Sequence, residues 1–404
     1  MERLQLNKPV NIFSREFARH KYEYYQVLRE QSPVHKGKLA ILDVYLLSRY
    51  DDCLALLKDP RFVRDRRQLG GGKFPLPLPR IVSVLGDNML LADGDEHRRL
   101  RGLVHQAFTP RALARLEYRL ETLTHELLDE MASRTEVDLI PAYALPIPVA
   151  IIGEMLGVSA AEMNQFKNSL SVLSSGLSGS QLFKTLVWDM PGVLRLLRGL
   201  IARKRAAPGD DILTGLIHAE ENGNRLSEDE LLSMVLLLIT AGYETTYNLI
   251  ANSVIALLTH PAQMAWLQVE PERLDTAIEE VLRFSSPLQG TKPAYATQAI
   301  TIRGVTIPRG AMVAPLLGAA NRDPAVFANP DEFDIARTPN KHLGFGQGIH
   351  YCLGAPLARL ETRLALKNLL ARFPELRLAV APEALKRQHM PLWERYERLP
   401  VLLG

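Results

Sequence analysis

The chain has 404 residues, of which 47% are hydrophobic and 23% are charged, as in an ordinary folded protein. Its net charge of +3 is small for this length and does not indicate nucleic-acid binding, which favours a concentrated basic stripe. The two cysteines, Cys53 and Cys352, are too few for a disulfide framework or a four-cysteine zinc site, and they fit a reducing cytoplasm.

The hydrophobic stretches are too short for a membrane span. The longest, Met234 to Ala241, lies well below the roughly 20 residues that a bilayer requires, and no N-terminal run has the pattern of a signal peptide. We therefore expect a soluble protein without a membrane anchor. Length alone suggests more than one domain, because a single core usually stops growing above about 250–300 residues. No break in composition, however, divides the chain.

Apolar residues at three- and four-residue spacing predict a mostly helical chain with short strands near both ends. A loop of triple glycine followed by alternating proline, Gly70 to Pro79, is incompatible with a helix or an inner strand. The helices are predicted at Arg115 to Ser133, Ser227 to Leu258, Leu274 to Phe284 and Leu357 to Phe373. The strands are predicted at Leu39 to Leu47, at Ala299 to Val305 before a turn at Pro308 to Gly310, and at Leu376 to Val380.

One predicted helix is unusually long. Ser227 and Glu230 form a capping-box signature, and the apolar pattern continues until His260 and Pro261. That is about 30 residues, or roughly 45 Å. The segment Leu231 to Ala241 is apolar nearly all round, which predicts that the helix passes through the middle of the fold.

The most specific motif is the decapeptide Phe345 to Gly354, FGQGIHYCLG, which ends just before the helix that starts near Ala355. Its glycines allow a sharp turn and a close approach of the backbone to a flat ligand. Backbone amides around Cys352, at a helix N-terminus, predict a lowered pKa and a thiolate, which is a strong axial ligand for haem iron. The alternative is that Cys352 is a small buried apolar residue.

The decapeptide resembles the haem-binding loop of the cytochrome P-450 family, and the resemblance extends over nearly the whole chain. It implies one mostly helical domain over residues 1–404 with a smaller β portion, in place of several domains. It also implies haem b between the long central helix and the helix after the cysteine. Cys352 would be the axial iron ligand, with Phe345, Gly346 and Gly354 among the cofactor-binding residues.

The middle of the long helix, Ala241 to Thr246, resembles the oxygen-binding groove of the family. A carboxylate and hydroxyls inside an apolar helix are costly unless they are paired or hydrated. Gly242 would leave room for a small ligand, and Ala241 would contact the cofactor. Thr245 could hydrogen-bond a distal oxygen, and Glu244 could relay protons to it. The alternative is that the threonines bond back to carbonyls of their own helix.

Glu280 and Arg283 match the glutamate–arginine pair of the family, with Arg337 as its downstream partner. The spacing of three residues sets Glu280 and Arg283 on one helical face. We expect these three residues to stabilise the fold around the cysteine loop. The alternative is a surface ion pair of little energetic consequence.

The segment Asp95 to Arg101 resembles the helix that meets the haem propionates in the family. His97 and Arg101 are four residues apart and would project together, and His342 matches a further propionate contact. One position departs from the family. An arginine usually stands where this chain has Ala294, so one propionate contact is missing or comes from another residue, for which Lys292 is a weak candidate.

The resemblance implies a haem-thiolate monooxygenase that inserts one atom of O2 into a lipophilic small molecule by hydroxylation or epoxidation. A ferredoxin with its reductase, or a flavodoxin, would supply electrons and dock near Arg98, Arg99 and Arg359. We expect a monomer. The alternatives are a haem protein that carries or senses a gas or electrons, and a helical binding protein without haem. The substrate pocket is predicted from Gly70–Leu85, Leu173–Leu182, Leu237–Thr245, Leu288–Thr291 with Gln289 as a polar anchor, and Leu392–Trp393.

Overall fold

The computed structural model describes residues 6, 9–70, 88–108, 110–159, 162–163, 166, 168–169, 189–220 and 223–404. Helices dominate this part of the chain, as predicted. They are α1 (Arg15–Arg19), α2 (Lys21–Gln31), α3 (Tyr50–Lys58), α4 (Gly94–Ala107), α5 (Pro110–Met131), α6 (Pro146–Met155), α7 (Met190–Ala206), α8 (Ile212–His218), α9 (Glu228–Thr259), α10 (Pro261–Val269), α11 (Leu274–Phe284), α12 (Leu317–Ala320) and α13 (Ala355–Arg372).

The strands are short and occur mainly before α4 and after α11. They are β1 (Val34–Leu39), β2 (Leu42–Leu47), β3 (Phe62–Val63), β4 (Glu136–Asp138), β5 (Ala294–Ala296), β6 (Ile300–Ile302), β7 (Val305–Ile307), β8 (Met312–Pro315), β9 (Arg377–Leu378) and β10 (Pro400–Leu402). The predicted helices and strands are therefore all present, with boundaries shifted by a few residues. The stretch predicted as one strand from Ala299 to Val305 is a hairpin of β6 and β7.

The central helix α9 has the predicted length and start. The Ser227 hydroxyl accepts from the amide of Glu230, and the Glu230 carboxylate accepts from the amide of Ser227 at 2.7 Å. Pro261 begins the next helix, which ends α9 at Thr259 because proline favours the first turn of a new helix. Of the described residues, only α9 is long and apolar enough to cross a bilayer, and 61% of its apolar window is buried inside the protein, as in a core helix.

The five-stranded sheet has the order β1-β2-β8-β5-β3, in which only β2 and β8 are parallel. Successive side chains of β2 point to opposite faces of the sheet and enter different apolar clusters, Leu46 on one face and Leu47 on the other. This sheet is therefore covered on both sides. The helical portion has one continuous apolar core, which α5, α6, α9, α11 and α13 all enter. The chain therefore forms a single helical domain with a smaller β portion.

Candidate active site

The glycine-rich loop before α13 presents Cys352 at its end. Gly346 and Gly348 adopt φ of +69° and +73°, a left-handed conformation that favours glycine. A Cβ at Gly348 would also lie 2.3 Å from the Leu57 carbonyl oxygen, so no side chain fits there. The Cys352 amide donates to the Phe345 carbonyl at 3.0 Å, which closes the loop into a compact turn. The Cys352 side chain is exposed.

The protein around Cys352 raises the pKa of its thiol, so the predicted lowering is wrong for the polypeptide by itself. Although part of Cys352 reaches the surface, protein atoms surround most of its sulfur, and this desolvation is the largest effect; backbone hydrogen bonds from Gly354 and Ala355 and the positive charges of Arg101 and Arg359 offset it only in part. The predicted amides are thus present but are not sufficient. A coordinating thiol is deprotonated by its metal, so a bound iron would oppose the effect of burial at this sulfur.

An accessible stripe runs along the otherwise buried middle of α9. Leu237 and Thr245 are half-buried and Ala241 is exposed, at successive four-residue steps that place all three on one face of the helix. The residues that follow Thr245, from Thr246 to Leu257, are buried. This stripe is the part of the central helix that a bound molecule can contact.

Both threonines hydrogen-bond back to their own helix, which is the alternative that the sequence left open. The Thr245 hydroxyl donates to the Ala241 carbonyl at 2.7 Å, and the Thr246 hydroxyl donates to the Gly242 carbonyl at 2.8 Å. Thr246 is buried, whereas Thr245 lies on the accessible stripe. The oxygen of Thr245 therefore keeps its lone pairs for a donor on that side.

Glu244 forms an ion pair that the sequence did not predict. Arg395, 151 residues downstream, donates from Nη1 to Glu244 Oε1 at 3.1 Å. The two side chains are only 10% and 14% exposed, so this is a largely buried ion pair. Arg395 also donates from Nε to the Gln388 side chain, which fixes the guanidinium in place. No short-range pattern could indicate a contact of such sequence separation.

Gly242 does not leave room for a small ligand. A Cβ there would lie 3.0 Å from Cδ1 of Ile152, so the absent side chain allows α6 to pack closely against α9. The predicted polar anchor Gln289 is also an interior residue. It is 1% exposed, and its Nε2 donates to the Ser286 carbonyl at 2.7 Å.

The Glu280–Arg283 pair is buried and structural, as predicted. Arg283 donates from Nε and Nη2 to the two oxygens of Glu280 at 2.8 and 2.7 Å. Its remaining donors reach the carbonyls of residues 321, 330 and 332. Arg337 donates to both Glu280 oxygens at 3.1 Å, which completes the predicted triad. The triad fastens α11 to the segment that leads into the cysteine loop.

His97 and Arg101 meet the cysteine loop from α4. The Ile349 carbonyl accepts from His97 Nε2 at 2.9 Å and from Arg101 Nη1 at 3.2 Å. His350 contacts the His97 ring edge-on, with centroids 4.3 Å apart, and reaches Asp93 Oδ1 at 3.3 Å. His350 therefore links the cysteine loop to α4 and to Asp93. Burial, together with the charges of His350 and Arg101, lowers the pKa of His97 to about 4.

His342 does not reach outward as predicted. Its Nε2 pairs with Glu279 at 2.9 Å, and its Nδ1 accepts from the Gly344 amide at 3.1 Å, so both ring nitrogens are engaged within the protein. Arg359 binds the same carboxylate at 2.6 Å, and its guanidinium stacks 4.6 Å from the Phe345 ring. Burial opposes ionisation of Glu279, but Arg359 and His342 outweigh it and hold its pKa at about 2. This cluster joins α11 and α13 to the cysteine loop.

These residues fit a planar, anionic, iron-bearing cofactor such as haem b. An exposed sulfur at the end of a loop is available to a metal, and the accessible stripe of α9 is available to a flat ring. Among the described residues, His97 Nδ1 is a buried polar atom with no hydrogen-bond partner. A carboxylate of the cofactor would supply that partner and would favour the protonated imidazole. Cys352 would hold the iron, and His97 with Arg101 would hold a propionate.

The comparisons with known proteins decide the family. The sequence profile described as Cytochrome P-450 matches residues 201–383. The polyketide biosynthesis cytochrome P-450 PksS of Bacillus subtilis is 39% identical over 400 residues, which cover 96% of this chain and 97% of that protein. The chain belongs to the cytochrome P-450 family. As a member it is a haem b monooxygenase that activates O2, which confirms the predicted class, cofactor and activity.

Three further comparisons with P-450 proteins agree. The vitamin D(3) 25-hydroxylase of Pseudonocardia autotrophica is 39% identical over 399 residues, covering 98% of this chain and 96% of that protein. Among solved structures, PksS superposes with a TM-score of 0.90, at 38% identity and with 98% and 99% of the two chains covered. P450BioI, solved with an acyl carrier protein that bears hexadec-9Z-enoic acid, gives a TM-score of 0.86 at 36% identity, with 96% of this chain and all of that chain covered.

Some predicted pocket segments of this P-450 lie outside the described residues, namely 71–85 and 173–182. Two others come together, because the Gln289 amide donates to the Leu392 carbonyl at 2.8 Å and Leu288 forms a bridge with Trp393. Sequence reasoning missed Arg395 entirely.

Proposed function

We propose that this P-450 hydroxylates or epoxidises a lipophilic small molecule at the accessible stripe of α9, with Glu244 and Thr245 delivering protons. The observation that carries the proposal is the stripe itself. It is apolar at Leu237 and Ala241 and ends in the hydroxyl of Thr245, which follows the partly accessible Glu244 in sequence. An apolar wall with one polar group suits a lipophile that is held by burial and oriented by few contacts.

We propose a different role for each of Cys352, Thr245 and Glu244. Bound haem supplies the iron at which O2 binds and receives electrons. Cys352 would hold the iron through its sulfur. The Thr245 hydroxyl, positioned by its bond to the Ala241 carbonyl, can accept a hydrogen bond on the accessible side. Once its carboxylate turns away from Arg395, Glu244 takes a proton from solvent and gives it to the Thr245 hydroxyl as that hydroxyl releases its own proton to the distal oxygen.

The relatives narrow the substrate class. Their names include a polyketide biosynthesis P-450 and a vitamin D(3) hydroxylase, and one solved relative carries a fatty acyl chain on a carrier protein. We infer that the substrate here is a polyketide, a fatty acyl chain or a steroid-like molecule. All three present extended apolar surface, and the stripe of α9 offers no charged group to bind a highly polar one.

The ferric holoenzyme tests this proposal by titration. Palmitoleic acid, vitamin D3 and a macrolactone would each be added while the Soret band is recorded. A saturable shift from low to high spin with at least one of them, followed by a hydroxylated or epoxidised product in turnover, is the expected result. A spin shift and product formation confined to highly charged molecules would contradict the proposal.

Electrons are proposed to come from a ferredoxin with its reductase, or from a flavodoxin, at the surface beside the cysteine loop. A concave site of about 390 Å³ lies there between α4 and the loop, lined by His97, Arg98, Arg101, Gly102, His105, Gly348 and Ile349. Arg98 is 74% exposed and suits this role, because its pair with Asp95 is also exposed and is easily exchanged for an acidic partner. Arg99 and Arg359 suit it less, because Arg99 binds Glu96 and Glu230, and Arg359 binds Glu279.

We also propose that the protein works in the cytoplasm as a monomer, and that residues 1–404 form one catalytic domain. The aligned relatives, which extend over 94–98% of this chain, support one domain over this length. The ion pair of Glu244 beside Thr245 favours oxygenation over the alternative of a gas or electron carrier, because a carrier needs no source of protons.

A further inference from the structure

The strand pairing suggests what replaces the family arginine at Ala294. Strands β3 and β5 are antiparallel, with Phe62 opposite Ala296 and Val63 opposite Tyr295. The same register holds one residue beyond this pair, before Phe62 and after Ala296, because the Thr297 amide donates to the Arg61 carbonyl at 2.8 Å. Arg64 follows Val63 in the bend where β3 ends, so it lies next to the position that this register would place opposite Ala294.

Residues directly opposite each other on paired strands project to the same face, with their Cβ atoms about 4.5–5.5 Å apart. The long side chain of Arg64, next to such a position, can reach the same region as an arginine at position 294. Ala294 is buried and small, which leaves the cross-strand space to the longer side chain.

The Arg64 guanidinium lacks a strong partner within the described residues. It makes one long contact, from Nη1 to the Leu90 carbonyl at 3.5 Å, and forms no ion pair there. The nearby Asp93 carboxylate is occupied, because it accepts from the amides of Arg64 and Asp65 at 2.6 and 2.7 Å and meets His350 at 3.3 Å. Burial lowers the pKa of Arg64 to about 10, and Asp93 offsets this only in part.

Arg64 belongs to a group of basic side chains that repel one another. The charge of Arg64 acts to lower the pKa of Lys292 and of His97, after burial in each case, and Arg101 acts on His97 in the same direction. Asp93 is the acidic residue that opposes this effect at His97. A group of basic side chains around one engaged carboxylate is a site for an anionic group.

We propose that Arg64, directly after strand β3, binds a haem propionate in place of the arginine that the family carries at position 294, with Lys292 as a weaker second cation. His97 and Arg101 hold the propionates from α4, and Arg64 holds them from the sheet. The proposal rests on haem binding alone and is independent of the proposed substrate and of proton delivery.

Haem release from the ferric holoenzyme to excess apomyoglobin tests this directly. Loss of one charge-assisted contact predicts that Arg64→Ala releases haem roughly 10- to 100-fold faster than the wild type. Arg61→Ala is the matched control, because Arg61 lies three residues away, is half exposed and pairs with Asp59. Its release rate should equal that of the wild type.

The double variant Arg64→Ala/Ala294→Arg separates cofactor binding from a structural role. Arg64→Ala should also shift the haem reduction potential to more negative values. Returning the cation to the opposite strand should restore both slow haem release and the original potential. If Arg64→Ala yields no holoprotein, recovery of holoprotein in the double variant decides the same question. An unchanged release rate in Arg64→Ala, or a double variant that stays as defective as the single one, would overturn the assignment even if the enzyme proves to be an active monooxygenase.

Discussion

At the scale of single residues, two neighbouring threonines on α9 make the same bond and face different surroundings. Each donates its hydroxyl to the carbonyl four residues earlier, but Thr246 is buried and Thr245 lies on the accessible stripe. The hydrogen-bond geometry of Thr245 therefore does not separate a structural from a catalytic role. The proposed role of Thr245 rests instead on its accessibility.

Thr245→Ala should uncouple electron use from product formation. Without the hydroxyl, the proton from Glu244 lacks a fixed acceptor, and product formed per NADH should fall about tenfold while NADH oxidation continues. Thr246→Ala is the control: it removes a hydroxyl that makes the same hydrogen bond to its own helix but is buried. Coupling in this variant should stay near the wild-type value. The ratio of product to NADH and the hydrogen peroxide released are the measurements. Equal coupling in the two variants would remove Thr245 from the mechanism.

Arg395→Met should destabilise the protein, because it leaves the largely buried Glu244 carboxylate without its cation. Breaking such a pair costs about 3–5 kcal/mol when one partner is removed. Arg398→Met is the control; Arg398 is 72% exposed in its pair with Asp138, and exposed pairs contribute about 0–1 kcal/mol. Urea unfolding of the holoproteins compares the two. Adding Glu244→Gln to Arg395→Met should recover much of the loss, and equal midpoints for the two single variants would contradict the account.

At the scale of elements, the cysteine loop depends on α11 as much as on its own glycines. Glu280 accepts from Arg283, Arg337, Asn340 and the Asp334 amide, and it is fully buried. One carboxylate thus joins the helix to the chain that precedes the loop. Glu279, its neighbour in sequence, binds His342 and Arg359 on the loop side.

Glu280→Gln should lose about 3–5 kcal/mol of stability, because two arginines then share a neutral, poorer acceptor in the interior. The yield of haem-loaded protein should fall with it, since the loop that carries Cys352 would be less firmly held. Asp95→Asn breaks an exposed pair with Arg98 of the same three-residue spacing and should change stability by no more than about 0.5 kcal/mol. A variant Glu280→Gln as stable as Asp95→Asn would show that the triad is dispensable.

At the scale of the whole molecule, the concave site beside α4 predicts a salt-dependent encounter with an acidic redox partner. The rate of haem reduction by a reduced ferredoxin should fall as ionic strength rises, because the attraction between the two surfaces is screened. Arg98→Glu should slow reduction about tenfold at low salt. Arg372→Glu is the control, because it makes the same change of charge at the far end of α13, roughly 25 Å from the cysteine. It should not slow reduction. If the stopped-flow rate of haem reduction changes neither with ionic strength nor in Arg98→Glu, the docking surface lies elsewhere.

Local patterns predicted much of the architecture. The capping box of Ser227 and Glu230, the stop at Pro261 and the helix from Leu274 to Phe284 depend on neighbours in sequence, and each is present. The loop glycines are also where the motif requires them.

The contacts that could not be predicted join distant parts of the chain. Arg395 meets Glu244 across 151 residues, and the position of Arg64 near Ala294 follows only from the strand register. The His342 assignment followed the motif, yet Glu279 from another helix takes its ring nitrogen. The pKa of Cys352 depends on burial, which spacing does not reveal.

The absorption spectrum of the reduced protein under carbon monoxide tests the central claim most directly, since it reports the axial ligand of the iron. Thiolate ligation by Cys352 predicts the strongly red-shifted Soret band of the family, and Cys352→His should move that band to the ordinary position of an imidazole-ligated haem. A wild-type band at the unshifted position would mean that Cys352 is not the thiolate ligand, and the proposed oxygen chemistry would fall even though the fold stands.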